Sequence, residues 1–482
     1  MLAIDDFLKI IWRTFLIIAS NDDVSNMLKY KVLAFIIIVV YFFQPFLIAN
    51  GGIGADSLSY FGIAADLPFP ETNLFPLGYP VLLRIMYEFC NDYFLASRIL
   101  SFLFTGIILG FSYYKKFYFR ETVLLFTGKT LFFVFIQTMS EGPFIFFMYF
   151  LFYFLHEIFM REERKYINAL CASLMLICMF LTRYSGVYVL LGFIIAFGVI
   201  FNRVKNTNCF KPLLFCIVMS GLGIAGYLLF NYLYFGSVVG ENERGLPSNG
   251  FSIYTIRNVL GLFNLVNPFV GLKPASISLP SMIFQFLIFV LDVAIAVYFF
   301  KYYKKAKEEQ IAFFHIILWT VALVYGVCLW VSGWFQQIEE MNVRMMAAAN
   351  ICVFFSFLIL YFENSDSDKW LWRIACLFFV FHTLYNLKDP GDFLKNRKII
   401  KSQMSKFNDK KYLFNDEENW VTMTTYDIPI IHKSFKYKHT NSQKGSLKEN
   451  IAGSVNPKIK WLLNDTVRDK SKVLYTSQLK LK

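Results

Sequence analysis

The chain has 482 residues, of which 57% are hydrophobic and 19% aromatic, and its mean hydropathy is +0.49. This composition excludes a soluble globular protein and indicates an integral membrane protein with many spans. The formal net charge is +13. Because the basic residues lie mostly in loops and in the C-terminal tail, they indicate contact with anionic lipid headgroups and not a nucleic-acid partner.

The N-terminal segment, residues 1–30, is predicted to begin with an interfacial amphipathic helix. Asp5, Asp6, Lys9 and Arg13 lie there among large apolar residues. This is too much charge for a membrane span, and it is typical of a helix lying in the membrane surface. The segment shows no cleavable signal with a small-residue cleavage site.

Residues 31–387 are predicted to form an all-α polytopic transmembrane helical bundle. Apolar runs of about 17 to 22 residues recur there, and each is long enough to cross about 30 Å of hydrocarbon. About eleven such runs are present. The predicted spans are residues 31–50, 95–113, 121–138, 143–160, 166–182, 186–202, 212–230, 281–300, 311–331, 344–362 and 370–387.

Two loops between the predicted spans are long, residues 51–94 and residues 231–280. Both are rich in Gly, Pro, Asn, Ser and aromatic residues and poor in basic charge. Residues 58–67 and 79–89 of the first loop predict short helices that lie half-buried at the membrane interface. Because such loops can fold onto the membrane face, a functional site is expected in them.

The distribution of lysine and arginine predicts the orientation of the chain. The predicted loops on one side of the membrane carry 15 of these residues. The loops on the other side, which include the two long loops, carry 6. Basic residues near span ends are retained in the cytoplasm, so the two long loops are predicted to lie outside. An odd number of spans places the tail outside as well, and long segments translocate with little regard to charge.

The C-terminal segment, residues 388–482, is polar and charged, with short apolar or alternating stretches. Residues 420–426 and 472–475 are strand-like, while Pro429 limits the stretch 428–431 to a sheet edge or a strand start. The segment is predicted to form a small external α/β lobe, or else a partly disordered tail.

Metal and nucleotide sites have no visible motif in the sequence. The eight cysteines are scattered without a C-x-x-C pair, so neither a disulfide framework nor a zinc site is inferred. His156 and His315 fall in apolar segments, where a packed, hydrogen-bonded role is favoured over metal ligation. The sequence contains no P-loop, dinucleotide fingerprint, HExxH or G-x-S-x-G motif.

Asp56 is the first candidate for chemistry because it directly follows the first apolar run. A carboxylate just outside a span can act as a general base on a substrate that arrives from water or from the lipid surface. If Asp56 and Tyr60 share a helix, they are i,i+4 neighbours on one face, and Asp66 lies ten residues further on. The alternative is that Asp56 only caps this helix.

Further charged residues lie in the predicted external loops or at span ends. Glu141 lies in a short turn, where a helix-capping role and a substrate contact are both open. Arg183 and Arg344 either extend to lipid headgroups or bind phosphate, which the planar guanidinium suits better than an ammonium group. Arg244 is a third candidate, although two neighbouring glutamates can neutralise it.

The order of these features resembles the GT-C class of polytopic glycosyltransferases. It is most similar to the bacterial branch related to the lipid A aminoarabinose transferases and the protein O-mannosyltransferases. The resemblance covers about residues 30 to 390, and the matching motifs occur within this range in the same order as in the class. They are Gly54-Ala55-Asp56-Ser57, Phe75-Pro76-Leu77-Gly78-Tyr79-Pro80, Ser140-Glu141, Leu181-Thr182-Arg183-Tyr184, Phe235-Gly236 and Arg344.

The resemblance implies transfer of a sugar from a polyprenyl-phosphate carrier to a lipid, glycan or protein acceptor, with inversion at the anomeric carbon. It implies a bacterial inner membrane, with the active site facing the periplasm or the exterior. The residues it implies are Asp56 as base, Arg183, Arg344 and Arg244 as donor-phosphate ligands, and Tyr60, Tyr79, Glu141 and Asp66 as substrate contacts.

One departure from the GT-C pattern concerns metal binding. Many members of the class carry two adjacent acidic residues in the first loop, whereas here Asp56 stands without an acidic neighbour. No metal ligands and no cofactor are therefore predicted, and a divalent cation stays an open alternative.

Two other functions stay open. A polytopic transporter or lipid-linked glycan flippase would use the same cavity, but transporters carry internal repeats and ionisable residues deep in several spans. Here the notable charges cluster at the outer span ends, which disfavours transport. An enzyme similar to O-antigen polymerases or ligases would depend on arginines of later loops, such as Arg244.

Overall fold

The fold is that of a computed structural model. The described residues are 26–48, 51–70, 72–241, 251–271, 278–304, 309–336, 338, 341–365 and 367–387, together with the backbone of 411–416, 419–426, 442–443 and 471–475. Most of the predicted interfacial segment 1–30 and the candidate Arg244 lie outside the described residues.

Fifteen α-helices make up most of the described chain. They are α1 (Asn26–Phe43), α2 (Ala55–Asp66), α3 (Gly78–Cys90), α4 (Tyr93–Lys115), α5 (Phe119–Leu125), α6 (Lys129–Ile136), α7 (Glu141–Met160), α8 (Lys165–Thr182), α9 (Gly186–Val204), α10 (Phe210–Phe235), α11 (Phe251–Leu262), α12 (Leu279–Tyr303), α13 (Glu309–Ser332), α14 (Ala347–Asn364) and α15 (Lys369–Asn386). Short 3₁₀ turns follow α1, at Gln44–Leu47, and α11, at Phe263–Leu265.

Nine of the described helices are long and apolar enough to cross a membrane. The prediction of a polytopic helical membrane protein is therefore confirmed, while two of the eleven predicted spans differ. The predicted span 121–138 is divided into α5 and α6, neither of which is long enough alone. The predicted span 370–387 corresponds to α15, which includes Lys369 and Arg373 and is not among the nine.

The break between α5 and α6 has a defined cause in hydrogen bonding. The backbone N–H of Lys129 donates to the carbonyl of Pro268 at 2.7 Å instead of to the preceding turn of its own helix. The hydroxyl of Thr127 donates to the carbonyl of Leu124 at 2.7 Å. Backbone and side-chain groups are thus satisfied without helical continuity, which is how a break is tolerated inside an apolar bundle.

The loops meet at two opposite ends of the bundle. At one end, here called the Asp56 end, the N–H of Thr138 donates to the carbonyl of Gly52 at 2.9 Å. At the opposite end, the Tyr30 hydroxyl donates to Asp368 at 2.8 Å, and the guanidinium of Arg120 lies 4.4 Å from the ring centroid of Phe362. The pair α5–α6 therefore runs from one end of the bundle to the other although its helix is broken.

The centre of the bundle is α14, whose residues from Ala347 to Leu360 are all buried. The three alanines at its start allow neighbouring backbones to approach closely, as small residues do between membrane helices. Aromatic rings fill the space beside it: Phe355 stacks on Phe152 at a centroid distance of 5.8 Å. This packing fixes the helix that follows the candidate Arg344.

The first long loop contains the two short helices that its sequence predicts, as α2 and α3. Gly54 occupies the N-cap of α2, and Asp56 is the second residue of the helix. The side chain of Ser57 accepts the N–H of Gly54 at 2.9 Å and donates to the carbonyl of Thr138 at 2.6 Å. The idea that Asp56 caps the helix is therefore wrong, although a first-turn carboxylate still interacts favourably with the helix dipole.

Gly52 is expected to be intolerant of alanine. Its φ is +70°, and a Cβ at this position would collide with the backbone oxygen of Ile136. We expect Gly52→Ala to lower the free energy of unfolding by about 2 kcal/mol or more, since left-handed backbone alone disfavours an L-residue by about 1–2 kcal/mol. Thermal unfolding of the purified protein in detergent measures this loss.

Gly110→Ala is the matched control. A Cβ at Gly110 meets nothing within 4 Å, and alanine is favoured over glycine inside a helix such as α4. This variant should unfold at or above the temperature of the parent protein. Equal unfolding temperatures for both variants would contradict the close contact between Gly52 and Ile136.

Within the described residues, four strands form one sheet in the order β3-β1-β2-β4. They are β1 (Lys411–Asp416), β2 (Asn419–Tyr426), β3 (Ser442–Gln443) and β4 (Ser471–Tyr475). β1 and β2 are antiparallel, while β3 and β4 run parallel to β1 and β2 respectively. β2 and β4 coincide with the strand-like stretches 420–426 and 472–475, and residues 428–431 lie outside the described residues. A compact external α/β lobe stays a prediction.

Candidate functional site

Four charged side chains meet at the Asp56 end and are called here the charge cluster: Asp56, Glu141, Arg183 and Arg344. Each is placed by a helix terminus. Asp56 lies in the first turn of α2, Glu141 is the first residue of α7, and Arg183 directly follows α8. Arg344 lies in the turn before α14. Helix ends from four parts of the sequence thus supply one cluster.

Glu141 is the centre of the charge cluster. Its Oε1 lies 2.5 Å from Nη1 of Arg183 and 3.5 Å from Nε of Arg344. Nη1 of Arg344 lies 3.7 Å from Oδ2 of Asp56. The guanidinium of Arg344 therefore lies between the two carboxylates, and the cluster as a whole carries no net formal charge.

The four side chains differ in their exposure. The side chain of Glu141 is 5% exposed, whereas that of Asp56 is 18% exposed. Oε2 of Glu141 is buried without a hydrogen-bond partner among the described residues. Asp56 is therefore the carboxylate nearer to the surface, and Glu141 is the one held inside, where charge interactions are strong.

Tyr60 and Tyr79 lie buried beside the charge cluster. The Tyr60 hydroxyl is 2.8 Å from Oγ of Ser140, which also accepts from Nη1 of Arg183 at 3.3 Å. The rings of Tyr60 and Tyr79 meet edge to face at 5.1 Å. Burial raises the pKa of Tyr60, and the charges of Glu141 and Asp56 raise it further, so this phenol stays neutral. Substrate contact by either tyrosine stays a prediction.

The turn that carries Arg344 is shaped by Asn342. Its side-chain oxygen accepts the backbone N–H groups of Arg344 at 2.9 Å and of Met345 at 3.1 Å, which is a typical side-chain mimic of a backbone turn. Methionine sulfurs complete the surroundings of the guanidinium groups: Arg344 donates to Met139 at 3.0 Å and Arg183 to Met345 at 3.8 Å. The sequence did not indicate these contacts.

Arg98 is a buried charge behind the charge cluster that the sequence analysis missed. It is 0% exposed. Its guanidinium donates to the carbonyl of Ile136 at 2.6 Å and to the hydroxyl of Thr138 at 2.5 Å. Thr138 in turn binds Gly52 and Ser57 through its backbone. Arg98 thereby positions the turn that joins the start of α2 to the start of α7.

A sequence signal for Arg98 exists. It is a single arginine within the apolar run of α4, and ionisable residues inside spans are costly and usually have a partner or a purpose. None of the described carboxylates forms an ion pair with it, so its partners are neutral oxygens.

Two predicted candidates are not placed by the structure. Arg244 lies outside the described residues, and the side chain of Asp66 is not described although its backbone ends α2. The two histidines predicted to be packed and hydrogen-bonded are so: His156 contacts the Tyr118 hydroxyl at 3.1 Å, and His315 contacts Ser356 at 2.8 Å.

Metal binding at the charge cluster has little support from its donor set. Within the part of the chain that the structure describes, no group of three or more His, Cys, Asp or Glu side chains is close enough to hold a metal ion. A cation that bound both Asp56 and Glu141 would compete with the guanidinium of Arg344 for the same carboxylates.

The chain matches no known protein-family model and no curated protein. A carboxylate near the surface can accept a proton, and an adjacent guanidinium can bind an anionic group with two parallel hydrogen bonds.

Proposed function

We propose that the protein is an inverting glycosyltransferase of GT-C type. It moves a sugar from a polyprenyl-phosphate carrier to an acceptor hydroxyl at the Asp56 end of the bundle. The observation that carries this proposal is the contact between Arg344 and Asp56 at 3.7 Å. This contact brings a carboxylate and a guanidinium side by side, and the described part of the chain holds nine span-length apolar helices.

Asp56 acts as the general base in the proposed reaction. Its carboxylate takes the proton of the acceptor hydroxyl, and the acceptor oxygen forms a bond to the anomeric carbon. The bond between that carbon and the phosphate oxygen breaks on the opposite face, and the phosphate keeps the electron pair. The products are the glycosylated acceptor, with inverted configuration, and the free polyprenyl phosphate.

Arg344 stabilises the negative charge that develops on the leaving phosphate. Preorganised cations in a partly dehydrated site do this strongly, often by several kcal/mol. The contacts of Arg344 with Glu141 and Asp56, at 3.5 and 3.7 Å, are longer than the 2.5 Å contact of Arg183 with Glu141. Less interaction is therefore lost when Arg344 turns to a phosphate.

Arg183 holds Glu141 in this proposal and does not bind the donor directly. It contacts the carboxylate of Glu141 and the hydroxyl of Ser140 together. This assignment differs from the expectation that Arg183 and Arg344 share the phosphate. In this assignment Glu141 is the inner anchor: it is held by Arg183 and in turn positions Arg344 through their contact at 3.5 Å.

A lipid-linked sugar is a suitable donor for a site in a membrane protein. A lipid-linked sugar reaches the site from the bilayer and is already activated by its phosphate, so no nucleotide motif is required in the sequence. The acceptor is a hydroxyl of a lipid, glycan or protein. Comparison of glycolipids and glycoproteins by mass spectrometry, in cells with and without the gene, identifies the sugar and the acceptor.

The direct test uses the full chain reconstituted in vesicles with a polyprenyl-phosphate hexose or pentose and a cell-envelope extract as acceptor. Release of polyprenyl phosphate, measured by mass spectrometry, is the expected result. Intact donor after prolonged incubation with each sugar class would count against the proposal.

Transport is a second candidate, and one feature favours it. Asp292 is fully buried within α12, and Asn267 donates to it at 2.7 Å. Ionisable residues inside spans and broken helices such as α5–α6 are typical of transporters. In vesicles, movement of a labelled lipid-linked sugar across the bilayer without loss of the sugar would favour transport, above all if Asp292→Asn abolished it and Asp56→Asn did not.

A further inference from the structure

A second polar site lies at the end of the bundle opposite Asp56. It is a cavity of about 480 Å³ between the start of α8, the end of α9 and the start of α10. We call it the basic pocket. The cations that line it are Arg164, Lys165, Lys205 and Lys211, and its carboxylate is Glu162.

The basic pocket has an excess of positive charge. Glu162 lies 3.5 Å from Nζ of the buried Lys165, and it also accepts from the Asn208 side chain at 3.4 Å. The negative charge of Glu162 is therefore neutralised by Lys165. Arg164, Lys205 and Lys211 form no ion pair with any described carboxylate. Three cations thus face a cavity large enough for a headgroup, which favours an anionic occupant.

The basic pocket continues into an apolar surface. Ile167 lines the pocket and is 58% exposed, and Leu170 and Leu174 follow it on the same face of α8. Leu214 and Val218 are exposed on α10. The rings of Tyr166 and Phe215 connect the two helices at a centroid distance of 6.1 Å. Both helices are of span length, so this surface is suited to acyl chains.

We propose that the basic pocket binds the phosphate headgroup of an anionic phospholipid, with its acyl chains lying against α8 and α10. The three cations suit a phosphodiester, and basic pockets between membrane helices are known to suit such headgroups. The exposed apolar surface that begins at Ile167 favours a membrane lipid over a free phosphate ion. This site is separate from the charge cluster and does not depend on the proposed transfer.

The test is native mass spectrometry of the purified full chain in detergent, titrated with phosphatidylglycerol or phosphatidylcholine. The parent protein should retain phosphatidylglycerol preferentially. The double variant Lys205→Gln/Lys211→Gln should lose affinity for it by about tenfold or more, because each basic group near a lipid surface contributes about 1 kcal/mol. Both lysines are exposed, so the variant is expected to fold.

The matched control is Lys115→Gln/Lys116→Gln. These two exposed lysines lie at the same end of the bundle as the basic pocket but do not line it. This control should bind phosphatidylglycerol as the parent does. An equal loss in the control would show general charge attraction and overturn the proposal. Complete displacement of the lipid by millimolar inorganic phosphate, or equal retention of both lipids, would overturn it as well. Transfer activity should be the same in both variants.

Discussion

Asp56→Asn is expected to lower the rate of sugar transfer by at least about 100-fold, the lower range for loss of a general base. Asparagine keeps the size of the side chain but cannot accept the proton of the acceptor hydroxyl. The protein should remain folded, because Asp56 is partly exposed and its contact with Arg344 is 3.7 Å long. An ion pair this long contributes little to stability, about 1 kcal/mol.

The assay for Asp56→Asn measures released polyprenyl phosphate per mole of reconstituted protein, and thermal unfolding of the same preparation tests its fold. Glu88→Gln is the control, since Glu88 is an exposed carboxylate on α3 that pairs with Arg84 at 2.7 Å. This control should keep the parent rate within about twofold, because Glu88 lies outside the charge cluster and a surface substitution changes stability by only about 0.5 kcal/mol. Full activity in Asp56→Asn would remove Asp56 from the role of base.

The membrane class and most helices of the bundle follow from the sequence because apolar runs of span length are a strong local signal. The interruption of the third predicted span does not follow from it. That break depends on a hydrogen bond from Lys129 to Pro268, a residue far along the chain. The run Thr127-Gly128-Lys129-Thr130 interrupts the apolar stretch and is a local signal for the break, but it does not indicate that Pro268 accepts the hydrogen bond.

The candidate site shows the same division between local and distant information. Asp56, Glu141, Arg183 and Arg344 are recognisable singly, because charged residues beside apolar runs are conspicuous. Their pairing depends on how four helix ends meet, which the sequence does not contain. The sequence around Arg183 is compatible with headgroup contact, whereas in the fold Arg183 contacts Glu141 at 2.5 Å.

The position of Glu141 links stability to the proposed chemistry. It contacts both arginines through one oxygen, Oε1. A phosphate that draws Arg344 away leaves Glu141 still neutralised by Arg183, so donor binding does not uncover a buried negative charge. Because the pair of Glu141 and Arg183 stays intact, donor binding avoids the cost of an uncompensated buried charge.

Glu141→Gln is expected to lower the free energy of unfolding by about 3 kcal/mol, the range for breaking a buried ion pair at one partner. Arg183 would then remain partly buried without its carboxylate, and the amide cannot replace that charge. Arg183→Gln should have a similar effect, since Glu141 is 5% exposed. The double variant should recover part of the loss, because no unpaired charge remains between the two positions. Unfolding in detergent measures all three.

Glu157→Gln provides the matched control, because Glu157 pairs with Arg161 at 2.8 Å and the Arg161 side chain is 64% exposed. Water can solvate Arg161 after the substitution, so the loss should stay below about 1 kcal/mol. If Glu141→Gln destabilises the protein no more than this control, the charge cluster is solvated and its charges act separately. If Arg183→Gln instead abolishes transfer without loss of stability, then Arg183 binds the donor phosphate directly and the inner-anchor assignment is wrong.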